Sequence, residues 1–226
     1  MTPRVVVLSA PSGGGKTTIA RALLARREDV GYSISATTRQ PRPGEQNGEA
    51  YHFLSREQFE RRRAAGEFLE WAEYAGELYG TLKGEIDRVL QSGRHVLMDI
   101  EVNGAIQVRR VYPAPASISV FILPPSADAL VERLRSRKSE SREALERRLG
   151  QAVVELQRAM GEVAGAVVYD HWIINDVVDH AVAEVSQIID EDGRRKHRVD
   201  QQKIDEIIKG LARELDRLGA GRKEPE

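Results

Sequence analysis

A short apolar strand that runs into a glycine-rich turn and then a helix constrains this chain more than any other feature. The stretch is VVVLSAPSGGGKTTIARALLAR, Val5 to Arg26. Val5 to Leu8 has no polar side chain, as expected of a strand covered on both faces in a helix-flanked parallel sheet. The turn falls one residue short of the phosphate-cradling pattern G-x-x-x-x-G-K-[ST]. Gly15, Lys16 and Thr17 complete that pattern, and Ala10 stands at its first glycine. Across Ala10, Pro11, Ser12, Gly13, Gly14, Gly15, Lys16 and Thr17 the backbone N–H groups at a helix start suit an anion. A cation such as Lys16 opposes the helix dipole there unless an anion is bound. The Thr17 hydroxyl suits a magnesium ion. The plainer alternative is a flexible connection that binds nothing.

Further apolar strands are expected at Arg4–Ser9, His95–Ile100, Ser117–Leu123 and Trp172–Ile174. Helical patterns alternate with them at Thr17–Arg27, Glu85–Gln91, Ala127–Arg137 and Arg142–Met160. That rhythm predicts an α/β fold in three layers. Asp99 closes one strand, where such folds set an acid near a metal. From Tyr32 to Gly84 the rhythm breaks into short segments, Ala50–Leu54 and Phe68–Ala72, with turns at Pro41–Gly44 and Asn47–Gly48. Ser55 and Gln58 form a capping box for a helix between them. This is a small mixed insert. Arg39 and Arg42 flank Pro41 in it, two forks that suit a phosphate monoester or, equally, two solvated arginines in a turn.

Basic and acidic residues number 34 and 35, a net charge of −1, so no overall field draws in nucleic acid or an anionic membrane. No stretch approaches the roughly 20 apolar residues that cross a bilayer. The chain has no cysteine, which excludes disulfides and thiolate metal sites and fits a reducing cytoplasm. Small-molecule partners are expected, with no nucleic acid and no membrane.

Several passages taken together are far more specific than the loop alone: SAPSGGGKTT (Ser9–Thr18), SATTRQPRPGEQNGEAYHF (Ser35–Phe53), GEFLEWAEYAGELYGT (Gly66–Thr81), LMDIEVNGA (Leu97–Ala105) and IIND (Ile173–Asp176). From about Val5 to Ile189 the chain resembles the guanylate kinase family, which phosphorylates GMP with ATP. The resemblance implies a three-layer P-loop kinase core with a parallel sheet, an inserted mixed α+β GMP-binding subdomain, a helical lid and a C-terminal helical extension. The kinase-like domain would span 1–191, with the insert at about 36–84 and the lid at about 134–150, and the extension 192–226.

The resemblance also implies roles. Ala10–Thr17 would hold the ATP phosphates. Arg39, Arg42, Tyr51 and Tyr79 would grip the GMP phosphate, and Ser35, Glu70 and Thr81 would read the base. A carboxylate at Glu70 accepts from guanine N1–H and the 2-amino group together, while Ser35 and Thr81 donate to O6. Asp99 would stand beside GMP and, with Thr17, the Mg²⁺ ion, directly or through water. In RLRSRKSESREALERRL (Arg133–Leu149), Arg133, Arg137 and Arg148 would close over the triphosphate, with Lys16, Arg39, Arg137 and Arg148 acting on the transferred group. Asn175 would contact ATP. Glu101 stands where a second Asp is common, and the chain around Gly161–Val167 is longer than usual. Two rivals stay open: a phosphopeptide-binding module on the same fold, and a P-loop kinase for a phosphorylated sugar.

Past Asp192 the resemblance gives least help. Ile204, Ile208, Leu211, Leu215 and Leu218 recur at spacings of four and three, with Asp200 as N-cap and Gly219 as stop. A helix this short is marginal alone, so its seam must pack on the core or on a second copy; monomer and homodimer both remain open. Arg194–Arg198 could also tether an anionic partner.

Overall fold

The computed structural model describes residues 2–74, 76–136, 141–163, 165–194 and 198–220. β1 (Val5–Ser9) runs into the glycine-rich loop and α1 (Lys16–Arg26), which returns the chain to β2 (Val30–Tyr32). A smaller sheet follows, built from β3 (Ala36–Thr37), β4 (His52–Phe53), β5 (Phe68–Tyr74) and β6 (Glu77–Leu82), with α2 (Arg56–Ala64) before β5. α3 (Lys83–Gln91) leads back to β7 (His95–Asp99), then α4 (Val102–Val111), β8 (Ser117–Leu123), α5 (Ala127–Arg135) and α6 (Arg142–Ala159). The chain continues through the antiparallel pair β9 (Glu162–Val163) and β10 (Ala166–Val167), then β11 (His171–Ile174), α7 (Val178–Asp190) and α8 (Gln201–Ala220).

The main sheet has the order β11-β8-β1-β7-β2, and every neighbouring pair is parallel. Parallel strands put all their carboxyl ends on one side, so the loop after β1, Asp99 at the end of β7 and Asn175 after β11 share an edge. β1 explains its own composition: Val5 and Val7 pack into the cluster that includes α3 to α6 and α8, while Val6 and Leu8 pack against α1 and α7. Both faces are dry. The smaller sheet, ordered β4-β3-β6-β5, has its own core of Ala36, Phe59, Phe68, Leu78 and Leu82, with Phe59 and Phe68 stacked at 4.2 Å between ring centroids. The capping box at the start of α2 is present in both directions.

Some expected boundaries move. The segment Ala50–Leu54 shortens to β4 with a single bridge from Tyr51 to Asn47. The Asn47–Gly48 turn takes over the backbone there: Asn47 accepts from Phe53 N–H, and Gly48 N–H donates to the Tyr51 carbonyl. The helix expected to reach Arg137 ends at Arg135, and Arg137 itself lies outside the described residues, as do 195–197 of the basic run. α4 and α7 were not anticipated. α8 continues past Gly219, which stops a helix only in a left-handed conformation that it does not adopt here. Asp200 does cap α8, accepting from Gln202 N–H at 3.1 Å.

α8 lays its seam on its own chain. Ile204, Ile207 and Leu211 are buried in the main core, and Ile208, Leu215 and Leu218 pack against it. Arg135 of α5 pairs with Glu214, and Arg142 of α6 donates to the Leu218 carbonyl. Gly210 lets α8 approach closely, since a Cβ there would meet the Ala127 side chain at 2.5 Å.

Candidate active site

The loop between β1 and α1 owes its shape to its glycines. Gly13 and Gly15 adopt φ of 85° and 92°, a region costly to any residue with a Cβ. Ala10 lies outside that region. Its methyl fills the space that a side chain at 14 would need, because a Cβ on Gly14 would lie 2.8 Å from Ala10 Cβ. The alanine at the first position and the glycine at 14 therefore belong together. A cavity of about 170 Å³ opens over the loop, walled by Ala10–Thr18 and by Glu101, Gln151 and Glu155. A larger depression of about 470 Å³ lies between α5 and α8, away from these groups.

Lys16 Nζ pairs with Asp99 Oδ1 at 2.9 Å. Burial alone would drive the ammonium toward neutrality, but the charge and hydrogen bond of Asp99, with Glu101 and Glu155 behind it, outweigh this and push its pKa up. Lys16 is a fixed cation. Thr17 is exposed at the start of α1. Asn175 is 3% exposed and donates its amide to the Gly14 carbonyl at 2.9 Å. Arg133 of α5 donates to the Asn175 backbone carbonyl at 2.8 Å, so both meet at the loop.

The smaller sheet presents Glu70, only 6% exposed on β5. Thr81, expected to donate toward a base, instead donates to Glu70 Oε1 at 2.7 Å. Their strands are neighbours and these two residues face each other in register, so the carboxylate is the nearest acceptor. Burial raises the Glu70 pKa to about 7; the Thr81 hydrogen bond and the charge of Lys16 oppose the rise, and Glu101 adds to it. Arg39 lies over the Tyr51 ring at 5.4 Å, and Tyr79 meets Tyr51 edge-on at 6.2 Å. Tyr51 is raised in pKa, by burial first and then by the charge of Asp99. The Arg39 guanidinium is held by Glu45 at 3.0 Å and by the Gln40 carbonyl. Arg42 is exposed, and its backbone N–H donates to Glu45. Ser35 is half-buried between β2 and β3.

Residues not anticipated from the sequence complete the site. Glu155 of α6 accepts from Ser12 N–H at 2.9 Å, which ties the helix that continues out of the expected lid to the loop. It lies seven residues past the half-buried Arg148, on the same face of α6. That spacing was a readable signal. Glu45 and Gly104 fall inside the quoted passages without a role of their own, and Gln107 carried no signal. The arrangement can hold a chain of phosphates on the loop and a second phosphate near Arg39, Tyr51 and Tyr79, with a buried acid beyond it.

The model of the family described as guanylate kinase matches residues 2–192. A guanylate kinase of Symbiobacterium thermophilum is 46% identical over 185 residues, 82% of this chain and 83% of that one. One from Trichormus variabilis is 46% identical over 182 residues, 80% and 87% of the two chains. The crystal structure of guanylate kinase from Anaplasma phagocytophilum superposes with a TM-score of 0.67 at 29% identity, covering 86% of this chain and 88% of that one.

Proposed function

The chain belongs to the guanylate kinase family, and from that premise we propose how its residues divide the transfer of the ATP γ-phosphoryl group to GMP. It is an ATP-dependent nucleoside monophosphate kinase. The acceptor is a phosphate oxygen already largely deprotonated near neutral pH, since a monoester's second pKa is about 6. No general base is required, and catalysis rests on alignment and charge neutralisation.

The loop from Ala10 to Thr17 cradles the ATP phosphates, with Arg133 and Asn175 at its far side. Lys16 exchanges its contact with Asp99 for the phosphates of ATP as they enter. Arg39, Arg42, Tyr51 and Tyr79 take the GMP phosphate, which displaces Glu45 from Arg39. Glu70 accepts from guanine N1–H and the 2-amino group. Adenine has neither donor there and leaves a buried carboxylate unpaired. Ser35 flanks the base, and Thr81 holds Glu70 in position. Arg137 and Arg148 bring charge to the transferred group as the segment at about 134–150 closes as a lid over the kinase-like domain of 1–191.

No cluster of three acidic or histidine side chains that could cage a metal occurs among the described residues. The oxygen donors Thr17 and Asp99 at the loop fit Mg²⁺ held chiefly by nucleotide phosphates, as this ion prefers. Thr17 would hold it directly, and Asp99 directly or through water; the ion would neutralise charge on the phosphates. No helix among the described residues is long and apolar enough to cross a membrane. The reaction belongs to the cytoplasm, with ATP and GMP as partners.

The observation that carries this reading is Glu70, buried on β5, bonded to Thr81 and within reach of the Lys16 charge. ADP release from ATP should require GMP and fail with AMP. ATP consumption indifferent to the acceptor would overturn the reading.

A further inference from the structure

Three features fix where the Glu70 carboxylate points, and two of them come from α4. The first lies in the strand itself. Phe68 pairs with Leu82 and Glu70 with Thr81, so Leu69 is an extra residue and β5 is bulged just before the acid. Phe68 packs into the small core of the insert, while Leu69 packs into the main core. The bulge sends consecutive side chains into different settings.

The second feature is Gln107. β6 covers one edge of β5, and at Trp71 the Gln107 amide covers the other. Its Oε1 accepts from Trp71 N–H at 3.3 Å, and its Nε2 donates to the Trp71 carbonyl at 2.9 Å and to the Asn103 carbonyl at 3.3 Å. One side chain thus imitates a strand partner for the residue next to Glu70. The third feature is Gly104, one turn earlier on the same helix. A Cβ there would lie 2.7 Å from Glu70 Oε2 and 3.2 Å from its Cδ. The carboxylate rests in the space that a side chain at 104 would fill.

We propose that Gly104 and Gln107 are positioning residues for base selection, and that α4 sets the direction of the Glu70 carboxylate and thereby the preference for guanine. The inference rests on the reading of Glu70 as the group that receives the guanine donors. Neither residue touches the nucleotide. Both act through Glu70, Gly104 by leaving room and Gln107 by holding the strand. An acid that must accept two parallel N–H donors is sensitive to a displacement well under an ångström, because hydrogen bonds weaken steeply away from good geometry.

The test compares GMP with inosine monophosphate, which keeps N1–H and O6 but lacks the 2-amino group. The ratio of kcat/KM for the two is measured in wild type, G104A, Q107A and E70Q, with melting temperature and KM for ATP as controls. The expected result is a fall of about tenfold in the GMP-to-IMP ratio for G104A and for Q107A. KM for ATP should stay within about twofold of wild type, since the ATP loop is untouched. Alanine is the better helix former, so a loss in G104A is not a failure of the helix. Q107A removes only a half-buried side chain, and it keeps the test decisive if G104A does not fold. Wild-type ratios in Q107A and in any folded G104A, with a collapsed ratio in E70Q, would overturn the positioning role and leave the Glu70 reading standing. A wild-type ratio in E70Q would overturn both.

Discussion

Single side chains set the acid–base behaviour of the site. The Glu70 carboxyl is raised by burial to about 7, and in the proposed role it must be ionised to accept both guanine donors. KM for GMP should therefore rise as pH falls below about 7, and in Glu70→Gln that component should vanish, leaving the GMP phosphate's own titration near pH ~6. A pH profile of KM in the two proteins checks this, and identical profiles would contradict it. For stability the sign is opposite: the folded chain holds this proton more tightly than the unfolded chain, so the contribution of Glu70 to stability declines as pH rises from its ordinary 4.5 toward about 7. Lys16→Ala should lower kcat by roughly 10²–10³-fold, the scale of losing one preorganised charge at a transferring group. Its melting curve must be recorded beside the rate, because Asp99 loses its partner. Much of this scale was legible in the sequence, but unevenly. Lys16 and Thr17 declare themselves by spacing. Glu70 is only one acid among 35 until a motif singles it out, and the passage that contains Gly104 gives it no role, since its importance lies in what approaches it from β5.

Elements obey the patterns that name their faces but not their partners. The four-and-three spacing of Ile204 to Leu218 marks a helix with one apolar stripe, yet periodicity is silent on what the stripe meets. The stripe meets α5 and α6, the two helices that flank residues 137–140. Leu211→Ala should cost about 2–5 kcal/mol, the range for a buried leucine, and lower the melting temperature while both KM values hold. Truncation after Glu191 should preserve GMP phosphorylation at temperatures below a reduced melting point. Activity lost at an unchanged melting temperature would mean that α8 reaches the site. The helix α2 is simpler, since its capping box was readable and is present; Ser55→Ala should cost about 1 kcal/mol without moving KM for ATP. Where the sequence misled, at Ala50–Leu54 and Gly219, turn chemistry and backbone conformation prevailed over pattern.

The whole molecule is a large, doubly covered sheet carrying a small sheet with a small core of its own. The alternation of apolar strands and helices announced the first, and the break in that rhythm announced the second. Local stability should follow core size, so amide hydrogen exchange should be slowest in β1, β7 and β8 and faster in β3, β4 and β5, with GMP slowing the latter group. Uniform protection across both sheets would contradict this. The sheet order has one more consequence. β1 has no neighbour close to it in sequence, for Val5 pairs with Val96 on one side and Ser117 on the other. At a translation rate of about 5–20 residues per second, the uncharged run Val5–Leu8 waits on the order of 5–20 s for its first partner to be synthesised. A nascent chain in that interval carries an unpaired, aggregation-prone strand that a chaperone would have to cover, and the phosphate loop gains its contacts to Glu155 and Asn175 only after those residues are made.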